Sequence, residues 1–415
     1  MPTASNSGPQ AFDVAIAGGG FAGRTLALAL TKLAPQGFRV ALVDAEPPQA
    51  GGDDARALAL SAATKNLLSA LGLWRDLEPN AQTMTSIEIT DSPLDAALRP
   101  HFLGFDAELE RNGASAYLVE YGDLNRVLAS AVASESAIEI FAPDSVTAFT
   151  ADPFRVTATL GSGKIIEASL VAAADGKRSR LREGAGIKCV GWSYPQLGIV
   201  TTVAHERPHH GKALQHFLPP GPFAILPLTG NRSSIVWTEE KDAAERIMEL
   251  DEAAFLEELT KRFGHRLGSI SLVGPRQSFP LDMQIARSFV AERLALIGDA
   301  AHVVHPLAGQ GLNIGMRDVA ALAETIVDAA RLGLDIGALP QLERYERWRR
   351  FDSAVAAAAM DGLNRLFSND NAPLRALRDL GLGLVDRAPP LKRFLAREAA
   401  GATGSVPRLL RGELV

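Results

Sequence analysis

A chain of 415 residues is longer than one ordinary hydrophobic core serves, so two domains or one domain with a large insertion are expected. Hydrophobic residues make up 47% and charged residues 22%, enough for a sizeable interior and too apolar for long disorder. The net charge of −6 provides no general positive field, which argues against nucleic acid as a partner.

The single cysteine, Cys189, excludes an internal disulfide framework and fits a reducing compartment. In the run GIKCVGW it reads as a small core residue, with no activating base beside it. The first basic residue after the start is Arg24, and the apolar stretch around it is interrupted, so the layout of a secretory leader is missing. No window of about 18 uninterrupted apolar residues occurs. The expected location is the cytoplasm, with peripheral attachment to the inner membrane left open.

Residues 1–10 read as a disordered lead. The run 12–18 is a short apolar strand ending in glycine, 21–34 has helix-spaced apolar residues, and 38–45 is again strand-like, which makes a β-α-β unit. Further strands are expected at 138–142, 154–160, 169–175, 223–228, 233–238 and 293–299. From 317, the spacing of Val319, Leu322, Ala323, Ile326, Val327 and Ala330 predicts an amphipathic helix. The mixture implies an α/β protein, α+β overall: a parallel nucleotide-binding sheet with a second, more antiparallel one. The tail 369–397 is locally basic, with leucines among its arginines. It suits a membrane surface or a partner subunit, and equally a helical pair covering the core.

Three glycine-centred motifs carry the chemistry. Gly18, Gly20 and Gly23 fit G-x-G-x-x-G between strand and helix, where a tight turn lets a pyrophosphate approach backbone N–H groups at a helix start. Asp44, at the end of the second strand, supplies a carboxylate for a ribose. Asp175-Gly176-Lys177-Arg178-Ser179-Arg180-Leu181-Arg182 follows an apolar strand. The third motif runs from Gly298-Asp299-Ala300-Ala301-His302 through His305 and Pro306 to Gly309-Gln310-Gly311-Leu312-Asn313, where an aspartate delivered by a strand precedes a glycine-rich helix start.

In order and spacing these three motifs resemble the flavin aromatic hydroxylases typified by p-hydroxybenzoate hydroxylase. The stretches 56–61 and 221–228, followed by Ile235-Val236-Trp237, resemble the ubiquinone-biosynthesis branch of that group. The resemblance spans about residues 12–365. It implies a Rossmann-like FAD-binding domain (11–77, 117–186 and 287–362), an inserted, mainly antiparallel-sheet substrate domain (78–116 and 187–286) and a C-terminal helical segment (363–415).

It further implies FAD as cofactor, NADPH or NADH as co-substrate, O₂, and hydroxylation of a prenylated aromatic small molecule, with self-association left open. Gly18, Gly20 and Gly23 would lie at the FAD pyrophosphate, Asp44 at the adenosine ribose, and Arg56 near the pyrophosphate or ribityl chain. Asp299 would hold the ribityl chain, and Asp175 would lie between the pyrophosphate and the path of NAD(P)H. Pro306, Gly309, Gln310, Gly311, Leu312 and Asn313 would border the flavin ring, with Pro306, Gly311 and Leu312 nearest the chemistry. Two positions depart from the pattern: Asp44 stands where a longer Glu is usual, and Tyr121-Gly122-Asp123 where other polar residues are.

The residues also permit other readings. Asp299, His302 and His305 have the composition of a two-histidine, one-carboxylate iron site, but the surrounding glycines and proline position backbone rather than ligands, and no metal is assigned. His205, His209 and His210 read as a solvated loop around Pro208. Phe217, Phe223, Leu226 and Trp237 read as core first and substrate wall second. A flavin-holding accessory subunit without turnover is the competing function.

Overall fold

The computed structural model describes residues 10–47, 54, 56–91, 103–106, 116–305, 309–367 and 406–415. The lead before residue 10, Pro306 and the basic stretch 369–397 lie outside the described residues.

β1 (Gln10–Ala17), α1 (Phe21–Leu33) and β2 (Val40–Val43) form the opening β-α-β unit. The chain continues through β3 (Ala57–Ser61), α2 (Ala62–Ala70), α3 (Trp74–Leu77), β4 (Gln82–Met84), β5 (Ser86–Asp91), β6 (Leu103–Asp106), β7 (Ala116–Glu120) and α4 (Tyr121–Ser134). β8 (Ile138–Phe141), β9 (Val146–Ala151), β10 (Val156–Leu160), β11 (Ile165–Ala173) and the short α5 (Arg180–Gly184) follow. Next come β12 (Cys189–His205), β13 (Lys212–Leu218), β14 (Gly221–Leu228), β15 (Arg232–Glu240), α6 (Lys241–Glu249), α7 (Glu252–Phe263), β16 (Ile270–Leu272) and β17 (Gln277–Ala286). β18 (Val290–Ala291), β19 (Leu294–Leu296), β20 (His302–Val303), α8 (Gln310–Arg331) and α9 (Leu339–Phe367) complete the body.

One sheet has the order β18-β19-β11-β1-β2-β8, with β10 and β9 added beside β11. Its centre is parallel, with Val14 opposite both Leu170 and Val40. Val14, Ala15 and Ile16 are fully buried, as is Val40. Such unbroken apolar runs are what a parallel sheet covered on both faces requires. The second sheet, β20-β17-β12-β15-β14-β13-β5-β6 with β16 beside β12, is antiparallel except where β13 runs parallel to β5. A third sheet, β3-β7-β4, lies between them in contact, its Ala57 and Ala59 packed against the cluster that holds Leu228 and Ala213 of the second sheet.

The first sheet draws its strands from 10–43, 138–173 and 290–296, and the second from 86–106, 189–286 and 302–303. Residues 406–415 return to the first core, where Leu409, Leu410 and Val415 are buried and Arg408 pairs with Glu324 and Asp328 on α8. Among the described residues no helix is long and apolar enough to cross a membrane.

α8 begins at Gln310, a full two turns before the apolar period becomes readable. Its first turns carry Gly311 and Gly315 in place of large apolar residues, and at Gly315 backbone comes close: a Cβ there would lie 3.3 Å from Gly298 Cα.

The two faces of the second sheet differ. Ile199, Phe223, Ile235 and Trp237 point to the face covered by α6 and α7, where they pack with Phe255, Leu259 and Phe263. Strand alternation turns Leu226 and Leu228 to the other face, toward β3. Phe217, directly opposite Pro222, alternates with Leu214 and Leu218 and shares that second face. The four residues read together from sequence therefore divide: Phe223 and Trp237 are core, Phe217 and Leu226 look the other way. Trp237→Ala should cost about 3–5 kcal/mol of stability in chemical denaturation, and half-buried Leu226→Ala less than half as much. Equal losses would contradict this division of faces.

Candidate active site

The glycine turn after β1 has two kinds of glycine. Gly18 has a φ of +107°, and a Cβ there would lie 2.1 Å from the Ala174 carbonyl oxygen; one on Gly23 would lie 1.9 Å from that of Gly18. The protein's own packing requires both. Gly20 is different. Its φ is −70°, so any residue fits its backbone, and a Cβ would meet no described residue within 4 Å. It caps α1 without a side-chain acceptor, so the N-cap residue satisfies none of the N–H groups of the first turn. Asp44 stands beside the turn, its carboxylate over Gly19.

A stack of rings and one cation crosses from this turn to the second sheet. Phe21 packs on Tyr121 at 4.7 Å between centroids, and the Arg56 guanidinium lies 4.7 Å from the Tyr121 ring and 5.0 Å from that of Phe279 on β17. Asp54 holds Arg56 through Nε at 2.9 Å and Nη2 at 2.5 Å. Tyr121, read from sequence only as a departure from the expected pattern, is thus the middle of this stack.

The turn after β19 is held from beneath. Gly298 takes a φ of +58° and donates its N–H to Asp318 Oδ2 at 3.0 Å. The same oxygen pairs with His302 Nε2 at 2.6 Å, and Oδ1 accepts from Arg349 Nε at 2.8 Å. Asp318 is 0% exposed. Burial by itself would raise its carboxyl pKa, yet His302 and Arg349 hold it below the ordinary value. Tyr345 adds a bond to the Leu296 carbonyl at 2.7 Å. Nothing in the sequence reading pointed to Asp318, Tyr345 or Arg349; the only signal was a set of polar residues at positions where α8 and α9 are otherwise apolar.

Asp299 projects from this turn and is open to solvent. Burial by the surrounding protein nonetheless raises its pKa, against the opposing pull of His302, Arg56 and Lys177. That combination describes a carboxylate lining a recess rather than a convex surface.

The start of α8 closes the arrangement. Gly309, left-handed at φ +62°, where a Cβ would lie 3.2 Å from Ala59 Cβ, caps the helix without a side-chain acceptor. The first four N–H groups of a helix have no partner within it, here those of Gly309, Gln310, Gly311 and Leu312. Asn313 has a structural role through its side chain that the sequence reading, which concerned its backbone, did not include. Its side chain is buried, donating to the Ala59 carbonyl at 2.8 Å and accepting from Ser61 N–H at 2.9 Å and Thr64 Oγ1 at 2.7 Å. It pins α8 to β3 and α2.

The Asp175 motif lies next to the glycine turn: a Cβ on Gly18 would be 2.9 Å from Asp175 N. Asp175 Oδ1 is buried with no hydrogen-bond partner among the described residues. Ser179 caps α5, and buried Arg182 donates to the Ala300 carbonyl at 2.9 Å and to that of Lys177 at 2.8 Å. Arg182 therefore ties the second motif to the third.

The histidines fall out as follows. His302 is committed to Asp318, and His305 stands edge-on to Tyr194 at 5.2 Å, 1% exposed, with neither ring nitrogen partnered among the described residues. Burial lowers the His305 pKa to about 4, so the ring is neutral. No group of three His, Cys, Asp or Glu side chains placed to hold a metal occurs among the described residues. The solvated-loop reading of His205 and His209 is corrected. Both are buried, 5.6 Å apart edge to face, with His205 on the Arg207 carbonyl and Ser233 Oγ and His209 on the Leu228 carbonyl. A proline breaks a helix but not a turn that folds back on the sheet.

Two uncapped helix starts, a glycine opposite open space, and acids at Asp44 and Asp299 on either side fit an elongated dianion flanked by hydroxyl-bearing chains. FAD has that form.

Residues 11–350 match the family model described as an FAD binding domain. The chain is 45% identical over 414 residues to the ubiquinone hydroxylase UbiL of Rhodospirillum rubrum, covering 98% of this chain and 94% of that one. It is 34% identical to the 3-demethoxyubiquinol 3-hydroxylase of Escherichia coli, covering 94% and 99% of the two chains. It is also 30% identical to the human mitochondrial ubiquinone biosynthesis monooxygenase COQ6, covering 92% and 91%. In fold it is similar to the crystal structure of p-nitrophenol 4-monooxygenase PnpA from Pseudomonas putida, with a TM-score of 0.77 at 20% identity, covering 95% and 100%. The chain belongs to the FAD binding domain family and, within it, to the group of ubiquinone-biosynthesis hydroxylases and monooxygenases.

Asp299→Asn should raise the melting temperature of the flavin-free protein at neutral pH. A carboxyl whose folded pKa exceeds its unfolded one is penalised when ionised, so the gain is complete above the folded pKa and fades as pH falls toward the ordinary 3.8. The variant should bind FAD about tenfold more weakly. Loss of stability at neutral pH, or unchanged FAD affinity, would contradict the recess.

Proposed function

We propose that this protein hydroxylates the aromatic ring of a prenylated phenol or benzoquinol intermediate of ubiquinone biosynthesis, using bound FAD, NAD(P)H and O₂. The names of its relatives support the pathway, and the observation that carries the site is that the Gly298 turn bearing Asp299 packs between Ala22 of α1 and Gly315 of α8, the two helices that start at an uncapped glycine.

In this reading Gly18, Gly20 and Gly23 seat the pyrophosphate, Asp44 takes the adenosine ribose, Asp299 takes the ribityl hydroxyls and Arg56 lies between them. Asp175 stands behind the pyrophosphate turn, toward the side on which NAD(P)H approaches. The N–H groups of Gly309 to Leu312 favour negative charge at the adjoining end of the ring system, where a preorganised array is most effective in a dry site. Pro306, outside the described residues, is assigned to that border on the sequence resemblance alone. FAD supplies the redox and oxygen chemistry; the chain supplies orientation and exclusion of water.

The substrate wall is assigned to the face of the second sheet that looks toward β3, around half-buried Leu226, not the face that carries Trp237. An apolar surface of this kind suits a ring with an isoprenoid tail. A cytoplasmic location fits the single cysteine and the absence of a membrane-crossing helix among the described residues. Contact with the inner membrane or a partner subunit is assigned to 369–397 on composition.

The purified protein should be yellow, with FAD released on denaturation, and a short-chain prenylated phenol should stimulate NAD(P)H oxidation with hydroxylated product formed in step. FAD binding without stimulation by any such phenol would make the chain a flavin-holding accessory subunit instead.

A further inference from the structure

Arg24 follows the glycine turn directly, and its guanidinium is buried, with the residue only 6% exposed. A permanent charge in such a place needs a partner. Nη1 donates to Asn125 Oδ1 on α4 at 2.7 Å, and Nη2 faces Asp44 Oδ2 at 3.5 Å. Asp44 is the carboxylate paired with it among the described residues.

Asp44 is held from two further sides. Oδ1 accepts the Glu46 N–H at 3.2 Å, and the carboxylate presses on Gly19 so closely that a Cβ there would lie 2.1 Å from Oδ2. The side chain keeps 15% exposure, so one edge remains open. A separation of 3.5 Å is a charge contact rather than a strong hydrogen bond, which leaves lone pairs of Oδ2 free for a ligand's hydroxyls.

We infer that Arg24, braced by Asn125, is a positioning residue that fixes the Asp44 carboxylate for the adenosine ribose and thereby makes the protein select FAD over FMN. The inference rests on the FAD reading above. An aspartate at the tip of a strand loses side-chain freedom when a ligand engages it, and a neighbour that fixes it beforehand removes that cost. Asp44 meets only the adenosine half, which FMN lacks. Its restraint therefore changes affinity for one flavin and not for the other.

The test is titration of the full chain, stripped of flavin, with FAD and separately with FMN, following flavin fluorescence. Arg24→Met keeps the buried stem and removes the charge. It should weaken FAD binding about tenfold while leaving FMN affinity within twofold, and Arg24→Met/Asp44→Asn should bind FAD no worse than Asp44→Asn alone. Equal weakening toward both flavins, or additive losses in the double variant, would mean that Arg24 is only a bracket between α1 and α4 and would overturn the inference. If Arg24→Met does not fold, Asn125→Ala serves instead, with a smaller loss confined to FAD expected and a loss shared with FMN contradictory. Failure of the wild-type protein to bind FAD would remove the FAD reading itself, whereas the other adverse results remove only the role of Arg24.

Discussion

Two helices, α1 and α8, begin at a glycine that has no side chain to cap them, and the candidate site is arranged around those two starts. Unpaired N–H groups at a helix start carry partial positive charge and require water or a ligand. Ser61 caps α2, Ser179 caps α5 and Asp251 caps α7, whereas α3, α4 and α6 start without a side-chain cap but not at a glycine. At the two glycine-led helices the acceptor is left to come from outside, which suits a protein whose cofactor is a long anion.

Holding those two starts near each other falls to buried polar groups rather than to apolar packing alone. Asp318 engages the Gly298 N–H, His302 and Arg349 at once, so the turn bearing Asp299 is bound to both α8 and α9. Removing one partner of such a network leaves an uncompensated buried charge, a loss of about 3–5 kcal/mol. Arg182 and Asn313 do the same work at the other two turns, each through backbone carbonyls. Phe21, Tyr121, Arg56 and Phe279 then carry contact across to the second sheet, the candidate substrate wall.

Much of this was legible in the sequence because it follows local rules. The β-α-β unit, most strands of the first sheet, β14 and β15 of the second and the apolar stripe of α8 declare themselves through period and composition, whereas β12, β13 and β17 do not. The glycine motifs announce where backbone must approach a ligand, although the sequence does not say that Gly18 and Gly23 serve the protein's own packing while Gly20 faces open space. Long-range facts were not legible. Asp318 and Arg349 look like solvent-facing charges until α9 folds over α8. Phe217 and Trp237 are equally apolar, and only the register of β13 to β15 decides which face each occupies. His205 and His209 suffered the same fate: a run of polar residues was read as wet, and tertiary contacts buried it.

The central claim is that the space beside Gly20 belongs to the FAD pyrophosphate, and the most direct measurement is a comparison of stability with affinity in Gly20→Ala. No described residue lies where the added methyl would go, and the backbone there is unstrained. Melting of the flavin-free protein should therefore be nearly unchanged, while FAD binding, measured by titration, should weaken at least tenfold. Wild-type affinity for FAD in that variant would contradict the account.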